Sequence, residues 1–132
     1  MSGGIDPAFL TLDQVMELHR ESLVRHGGID GVRDSGAVES ALASAQNTWL
    51  YGNGDIYDIA AAYAFHIAEC QAFLDGNKRA AVAAAIAFLS LNQCVDDGND
   101  SVIYDAMIAI AQRRMGKAGL ADLLRKQFIR GR

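Results

Sequence analysis

The chain has 132 residues, half of them hydrophobic, and a formal net charge of −4. That is the length of one domain, residues 1–132, with enough apolar side chains for a single core, and the acidic balance speaks against a general nucleic-acid binder. Two cysteines, Cys70 and Cys94, are too few for a disulfide framework or a zinc site and point to a reducing, cytoplasmic setting. The longest apolar stretch, residues 80–91, is too short to span a bilayer.

One proline, Pro7, and abundant alanine favour an all-α chain. Thr11 and Gln14 have capping-box spacing and open a predicted helix of about four turns, carried by Leu12, Val15, Met16, Leu18, Leu23 and Val24 and ended by Gly27-Gly28. Residues 27–36, "GGIDGVRDSG", read as a loop or a small β-hairpin. Asp34 or Ser35 caps a second helix running through Gln46, with Val38, Ala41, Leu42 and Ala45 inward, and "NTWLYGNGD" follows as a loop. A third helix, Ile56 to Cys70, carries Ile59, Ala60, Tyr63, Ala64 and Ile67 on one face. After the short irregular segment 71–77 comes "KRAAVAAAIAFLSLNQ". This helix is apolar nearly all round and so belongs at the centre. "VDDGND" is a turn; Val102, Ile103, Met107, Ile108 and Ile110 form a fifth helix, and Leu120, Leu123, Leu124 and Phe128 a sixth.

Charge is unevenly spread along this pattern. Between Asp34 and Gln112 the only cations are Lys78 and Arg79, among ten Asp and Glu residues. The basic tail from Arg113 onward reads as a solvated helix face. The isolated pair stands at the start of the most apolar helix, where charges are least expected. The first amides of a helix lack internal partners and the helix dipole is positive there, so Asn77, Lys78 and Arg79 together suit an anion, most naturally phosphate. Gly76 lets the backbone approach a ligand. Arg79 offers a planar fork and Lys78 a point charge. Asp75 beside this nest suits Mg²⁺, which bridges carboxylate and phosphate oxygens. Phe73, apolar between polar neighbours, anchors the loop. The plainer alternative is that Asp, Gly and Asn are ordinary turn residues and the cations are solvated.

The stretch "QAFLDGNKRAA" resembles the signature of the Fic/Doc family. There a His, then Phe after one residue, leads into Asp or Glu, Gly or Ala, Asn, Gly or Lys, and Arg. The flanks "FLTLDQVMELH", "GIDGVRDSGAVESALASAQNTWLYG" and "FLSLNQC" look like the Doc-type toxin branch, so the resemblance covers nearly the whole chain from Phe9. It implies the helical Fic fold, about six helices around a central buried helix, with a short β-hairpin flap that aligns the target protein. By position it implies that Asp75 holds Mg²⁺, that Gly76 and Asn77 belong to the phosphate-binding loop, and that Arg79 contacts phosphate. Most members transfer AMP from ATP to a protein hydroxyl. They carry Gly where this chain has Lys78, and a second Arg where it has Val82. Lys78 is as in the Doc branch, whose toxin phosphorylates a threonine of elongation factor Tu, with ATP reversed, and stops translation. Such toxins pair with a small antitoxin whose C-terminal segment folds onto them. This sequence shows no built-in Ser/Thr-x-x-x-Glu-Gly/Asn inhibitory helix, which agrees with an inhibiting partner.

The family's His, which takes the proton from the target hydroxyl, falls at Gln71. An amide donates and accepts hydrogen bonds but has no usable basicity. Losing a general base costs about 10²–10⁴ in rate. Phosphoryl transfer, however, leans on positioning and charge stabilisation. Three readings follow: a kinase in which Gln71, Lys78 and Arg79 act on ATP·Mg²⁺, an AMP transferase, or a catalytically silent Fic-fold binding protein. Among the other candidates, His66 and Cys70 are four apart on one helix and read as structural, and His66 is turned away from the loop. His19 and His26 lack companions at metal spacing and read as surface or core residues. Trp49 and Tyr51 read as packing residues.

Overall fold

A computed structural model describes residues 6–52, 54–95 and 100–130. It contains six helices and one two-stranded ribbon: α1 (Leu12–His26), α2 (Ser35–Leu50), α3 (Ile56–Cys70), α4 (Asn77–Leu91), β1 (Cys94–Val95), α5 (Asp100–Ala111), α6 (Lys117–Gln127) and β2 (Ile129–Arg130). The all-α expectation holds. Thr11 caps α1 through the reciprocal bonds its spacing predicts: its hydroxyl accepts from the Gln14 amide at 3.1 Å, and the Gln14 side chain accepts from the Thr11 amide at 2.8 Å.

The centre is shared by two helices, where the sequence suggests one. In α3, residues Ile59, Ala60, Ala61, Ala62, Tyr63 and Ala64 are all buried, and in α4 so are Ala80, Ala81, Ala84, Ala85, Phe88 and Leu89. Alanine on both faces lets the two axes come close, since interaxial distance depends on the side chains at the contact. Around this pair, α2 and α6 pack on α3, α1 packs on α4, and α5 touches both. The Tyr63 hydroxyl accepts from the Leu10 amide at 3.0 Å, tying the segment before α1 to the core, and burial pushes this phenol up to about 12.

Three further differences stand against the sequence reading. Helix α2 runs on to Leu50, because Thr48 bonds back to the Ser44 carbonyl (3.1 Å) and Trp49 packs edge-on against Phe9. Residues 27–34 form no hairpin of their own. They lie along the segment after α3, joined to it by the bridge Val32–Phe73 and by main-chain bonds to Ala72 and Leu74. The ribbon β1–β2, antiparallel with Val95 opposite Ile129, has no counterpart in the sequence reading. Most of the turn after it lies outside the described residues, and no described helix is long and apolar enough to cross a membrane.

One surface cluster closes the far end of α3. The Asp55 carboxylate caps α3 through the amides of Tyr57 and Asp58 and receives Arg125 of α6 in a two-pronged contact at 3.0 and 3.1 Å. Burial pushes Asp55 up, but the bonds from Arg125 and Asp58 outweigh it and hold the carboxyl below the ordinary carboxylate range. A depressed folded-state value stabilises above the unfolded value, near 4, and that contribution is lost as pH falls through the folded value. Asp55→Asn is therefore expected to cost about 1 kcal/mol at neutral pH. The gap from wild type in thermal melts should narrow steadily below about pH 4; a gap that does not change with pH would refute the assignment.

Candidate active site

Helices α3 and α4 run side by side and must be joined by residues 71–76, so the motif forms one end of the central pair. Helix α3 stops at Gln71, whose backbone is left-handed (φ 52°, ψ 40°), and the Gln71 side-chain amide donates to the Ala68 carbonyl at 2.8 Å. Ala72 and Phe73 then turn inward and are fully buried. Phe73 anchors the loop, as its sequence context predicts.

Asn77 closes the turn. Its side-chain oxygen accepts from the Phe73 amide at 3.1 Å and its nitrogen donates to the Phe73 carbonyl at 3.0 Å. The same nitrogen lies 3.5 Å from the Gln71 side-chain oxygen. The Asn77 side chain thus braces the loop, and only its main chain remains for a ligand. Gly76 is left-handed (φ 78°), and a Cβ there would stand 3.4 Å from Leu23 and 3.6 Å from the His19 ring. The glycine serves the backbone turn and the approach of α1.

From this turn α4 starts without any side-chain cap; its first backbone bond runs from Ala80 to the Gly76 carbonyl at 2.9 Å. Lys78 and Arg79 are half-buried in its first turn, and among the described residues neither is ion-paired. The Arg79 guanidinium rests 4.0 Å above the ring of Tyr104 on α5, which fixes its direction. These groups face a cleft of about 570 Å³ lined by residues 74–79 with Gln71, His26, Gly27, Gly28 and Tyr104. An amphipathic cleft of about 830 Å³, with Phe65, Met107, Ile110 and Arg114 in its walls, adjoins it at Gln71 and Lys78. Every residue the sequence singles out for phosphate therefore lies in one place.

Asp75 is exposed at the cleft. One carboxylate oxygen accepts from the Ile29 amide at 3.1 Å, the other from the Gly76 amide at 2.9 Å. Each oxygen keeps a lone pair. No cluster of three or more His, Cys, Asp or Glu side chains suited to a metal forms among the described residues. Asp75 fits a Mg²⁺ that takes one carboxylate and completes its shell with phosphate and water, the usual protein environment of that ion.

His26, Gly27 and Gly28 form the other wall, and the segment that follows them is held to the loop. Arg33 and Asp34 donate to the Ala72 carbonyl at 2.6 and 3.1 Å, and Leu74 donates to the Gly31 carbonyl at 3.1 Å. Gly28 lies so near Asp75 that a Cβ would sit 3.0 Å from its carboxylate. His19, buried on α1, reaches the Asp75 carbonyl.

The remaining candidates fall elsewhere. His66 faces Lys117 at 3.1 Å, with burial and that cation lowering its pKa. The Cys70 thiol donates to the Ile67 carbonyl, and burial raises its pKa. Neither forms a nucleophile pair. Trp49 is packed, but Tyr51 is exposed. Tyr104 has no place in the sequence reading, while His19 and His26, read there as core or surface residues, are buried and exposed respectively and both border the site. Only His19 carried a signal: with Val15 and Ser22 it shares the buried face of α1.

A helical core that presents a glycine turn, an uncapped helix start and two cations without an ion pair among the described residues defines a class as well as a site. The model of the Fic/DOC family matches residues 9–89, and the chain belongs to that family. Among its relatives, the "Protein kinase doc" of Escherichia phage P1 is 27% identical over 117 residues, 88% of this chain and 92% of that protein. The "Toxin Doc" of Mycolicibacterium smegmatis is 38% identical over 95 residues, 68% of this chain and 72% of that protein.

Asn77→Ala removes both bonds to Phe73 and leaves that buried amide unpaired. The variant is expected to lose about 1–3 kcal/mol, read as a lower midpoint in urea; an unchanged midpoint would show that the loop stands without the clamp.

Proposed function

We propose that this chain is a Doc-like toxin that transfers the γ-phosphate of ATP to a Ser or Thr hydroxyl of a target protein, of the elongation factor Tu type, and so blocks translation. The observation that carries the reading is the pair Lys78 and Arg79, half-buried at the uncapped start of α4, without an ion pair among the described residues and lining one cleft with Asp75. The amides of Asn77, Lys78 and Arg79 would take phosphate oxygens along the helix dipole. Arg79, steadied on Tyr104, would hold the phosphoryl group being transferred, and Lys78 would offset charge on its other side. Asp75 would hold Mg²⁺, which when bound joins phosphate oxygens and neutralises developing charge. The hydroxyl oxygen bonds to the γ-phosphorus, the bond from that phosphorus to the bridging oxygen breaks, and ADP leaves with the electron pair. Gln71 stands where the two clefts meet, and its amide would orient the hydroxyl without taking its proton, which would pass to water or to an oxygen of the transferred phosphoryl group. The proposal includes a small antitoxin as partner, supported by the name of the relative from Mycolicibacterium smegmatis.

A second reading, a catalytically silent Fic-fold protein that binds nucleotide or antitoxin, is favoured by one observation. The Gln71 amide is engaged with the Ala68 carbonyl and offers no base. AMP transfer is a third reading, weakened because Val82, where a second Arg would stand, is buried.

ATP labelled at the γ- or the α-phosphate, incubated with a cell lysate, separates the three. Transfer of γ label supports the kinase, α label the AMP transferase, and neither label the binding protein. Arg79→Ala is expected to weaken nucleotide binding by about 1.5–3 kcal/mol; calorimetry giving equal affinities would sink the phosphate site. Gln71→His is expected to raise γ transfer and growth arrest on the order of 10²-fold or more. An active wild type whose His variant is no better would refute the missing-base account.

A further inference from the structure

We infer that His19 is the positioning residue of the phosphate loop, holding at once the turn that aims the α4 amides and the segment that walls the cleft. The functional side of this inference rests on the nucleotide site proposed above; the geometric side does not. His19 comes from α1, far in sequence from the motif, and is only 1% exposed. Its ring lies flat on Phe73, centroids 3.8 Å apart and planes 11° from parallel. Its Nε2 lies 2.8 Å from the Asp75 carbonyl oxygen; a carbonyl carries no proton, so the ring nitrogen donates. A Cβ on Gly76 would meet the same ring at 3.6 Å. One imidazole thus bears on Phe73, Asp75 and Gly76, three of the four residues that immediately precede α4.

That placement matters because the carbonyl it fixes belongs to the proposed metal-holding residue. Fixing the Asp75 peptide sets where its carboxylate projects and how Gly76 enters the left-handed turn, and so the direction of the next three amides. The Asp75 carboxylate in turn receives the Ile29 amide. A chain of contacts therefore runs from α1 through His19 to Asp75 and on to residues 27–32. A histidine kept only for packing could be replaced by phenylalanine, which preserves the stack. The donated hydrogen bond is what phenylalanine lacks, and it is the part assigned to positioning here.

The experiment compares wild type, His19→Phe and His19→Gln. Amide hydrogen exchange at Ile29 and Leu74, followed without ligand, reports the wall and the loop directly. In His19→Phe these amides are expected to exchange about tenfold faster or more, while α3 and α4 stay protected and the melting temperature stays near wild type. Affinity for ATP·Mg²⁺, measured by calorimetry, is expected to fall about tenfold or more. His19→Gln keeps a donor and is expected to recover most of both. Unchanged exchange in His19→Phe overturns the inference, and so does faster exchange with unchanged ATP·Mg²⁺ affinity, which would leave His19 a packing residue. If His19→Phe does not fold, His19→Gln decides: retained protection at Ile29 and Leu74 supports the inference and its loss overturns it. If wild type itself binds no ATP·Mg²⁺, the proposed nucleotide site fails, and the exchange result still decides whether His19 holds the loop.

Discussion

Two alanine-faced helices packed closely side by side leave only residues 71–76 to reverse the chain, and the site follows from how that reversal is held. The close packing of α3 on α4 keeps the two ends near each other, so the joining segment must turn within a few residues. Two left-handed positions, Gln71 and Gly76, accomplish the turn. Between them Phe73 goes down into the core and Asn77 ties its own helix back to the Phe73 peptide. The capping side chain that a helix start normally places on its free amides is absent at α4. What remains is a positively polarised helix start with no side-chain cap of its own.

Lys78 and Arg79 sharpen that condition. Cations half removed from water usually find a carboxylate, and Arg125 at the other end of α3 gathers Asp55, Asp58 and Asp122. Among the described residues Lys78 and Arg79 have no such partner, and the motif carboxylate, Asp75, is engaged with main-chain amides. Unpaired charge that lowers stability is retained where it has a ligand to meet. The contrast between the two ends of α3 therefore sets a paired ion network against two cations that, among the described residues, have no carboxylate partner.

The sequence made the helices legible because their signals are local. Thr11 with Gln14, Asp34 and the run of buried alanines each act within a few residues, and α1 and α3 fall where those signals put them. The phosphate loop was legible for the same reason: residues 75–79 are contiguous. What escaped depends on contacts far apart in sequence. Tyr104 is an unexceptional residue of an amphipathic helix until α5 brings it over Arg79. His19 looks like any inward residue of α1 until Phe73 lies under it. Residues 27–34 carry glycines that suit a hairpin, yet they bond to Ala72 and Leu74, because the motif loop offers them unpaired main-chain groups at closer reach than they offer one another.

Gln71 brings the local and distant constraints into conflict. Its position needs a left-handed backbone whatever the side chain, and its amide has taken up the Ala68 carbonyl. The amide has a second N–H and an acceptor oxygen for an incoming hydroxyl, and even opening the bond to Ala68 altogether would cost only about 1 kcal/mol. Replacing a general base by an amide costs about 10²–10⁴ in rate, which is roughly 2.7–5.5 kcal/mol. The second figure exceeds the first by a wide margin. Reorienting Gln71 is therefore a minor obstacle, and the chemistry of proton removal sets the ceiling on any transfer here. The main-chain amides, Lys78 and Arg79 belong to the start of α4 and not to position 71, whose side chain reaches that end only through the Asn77 amide at 3.5 Å. On the proposed reading binding and transfer would therefore be largely separable: the side chain at the loop's first residue would govern the rate, while the turn behind it would hold the nucleotide.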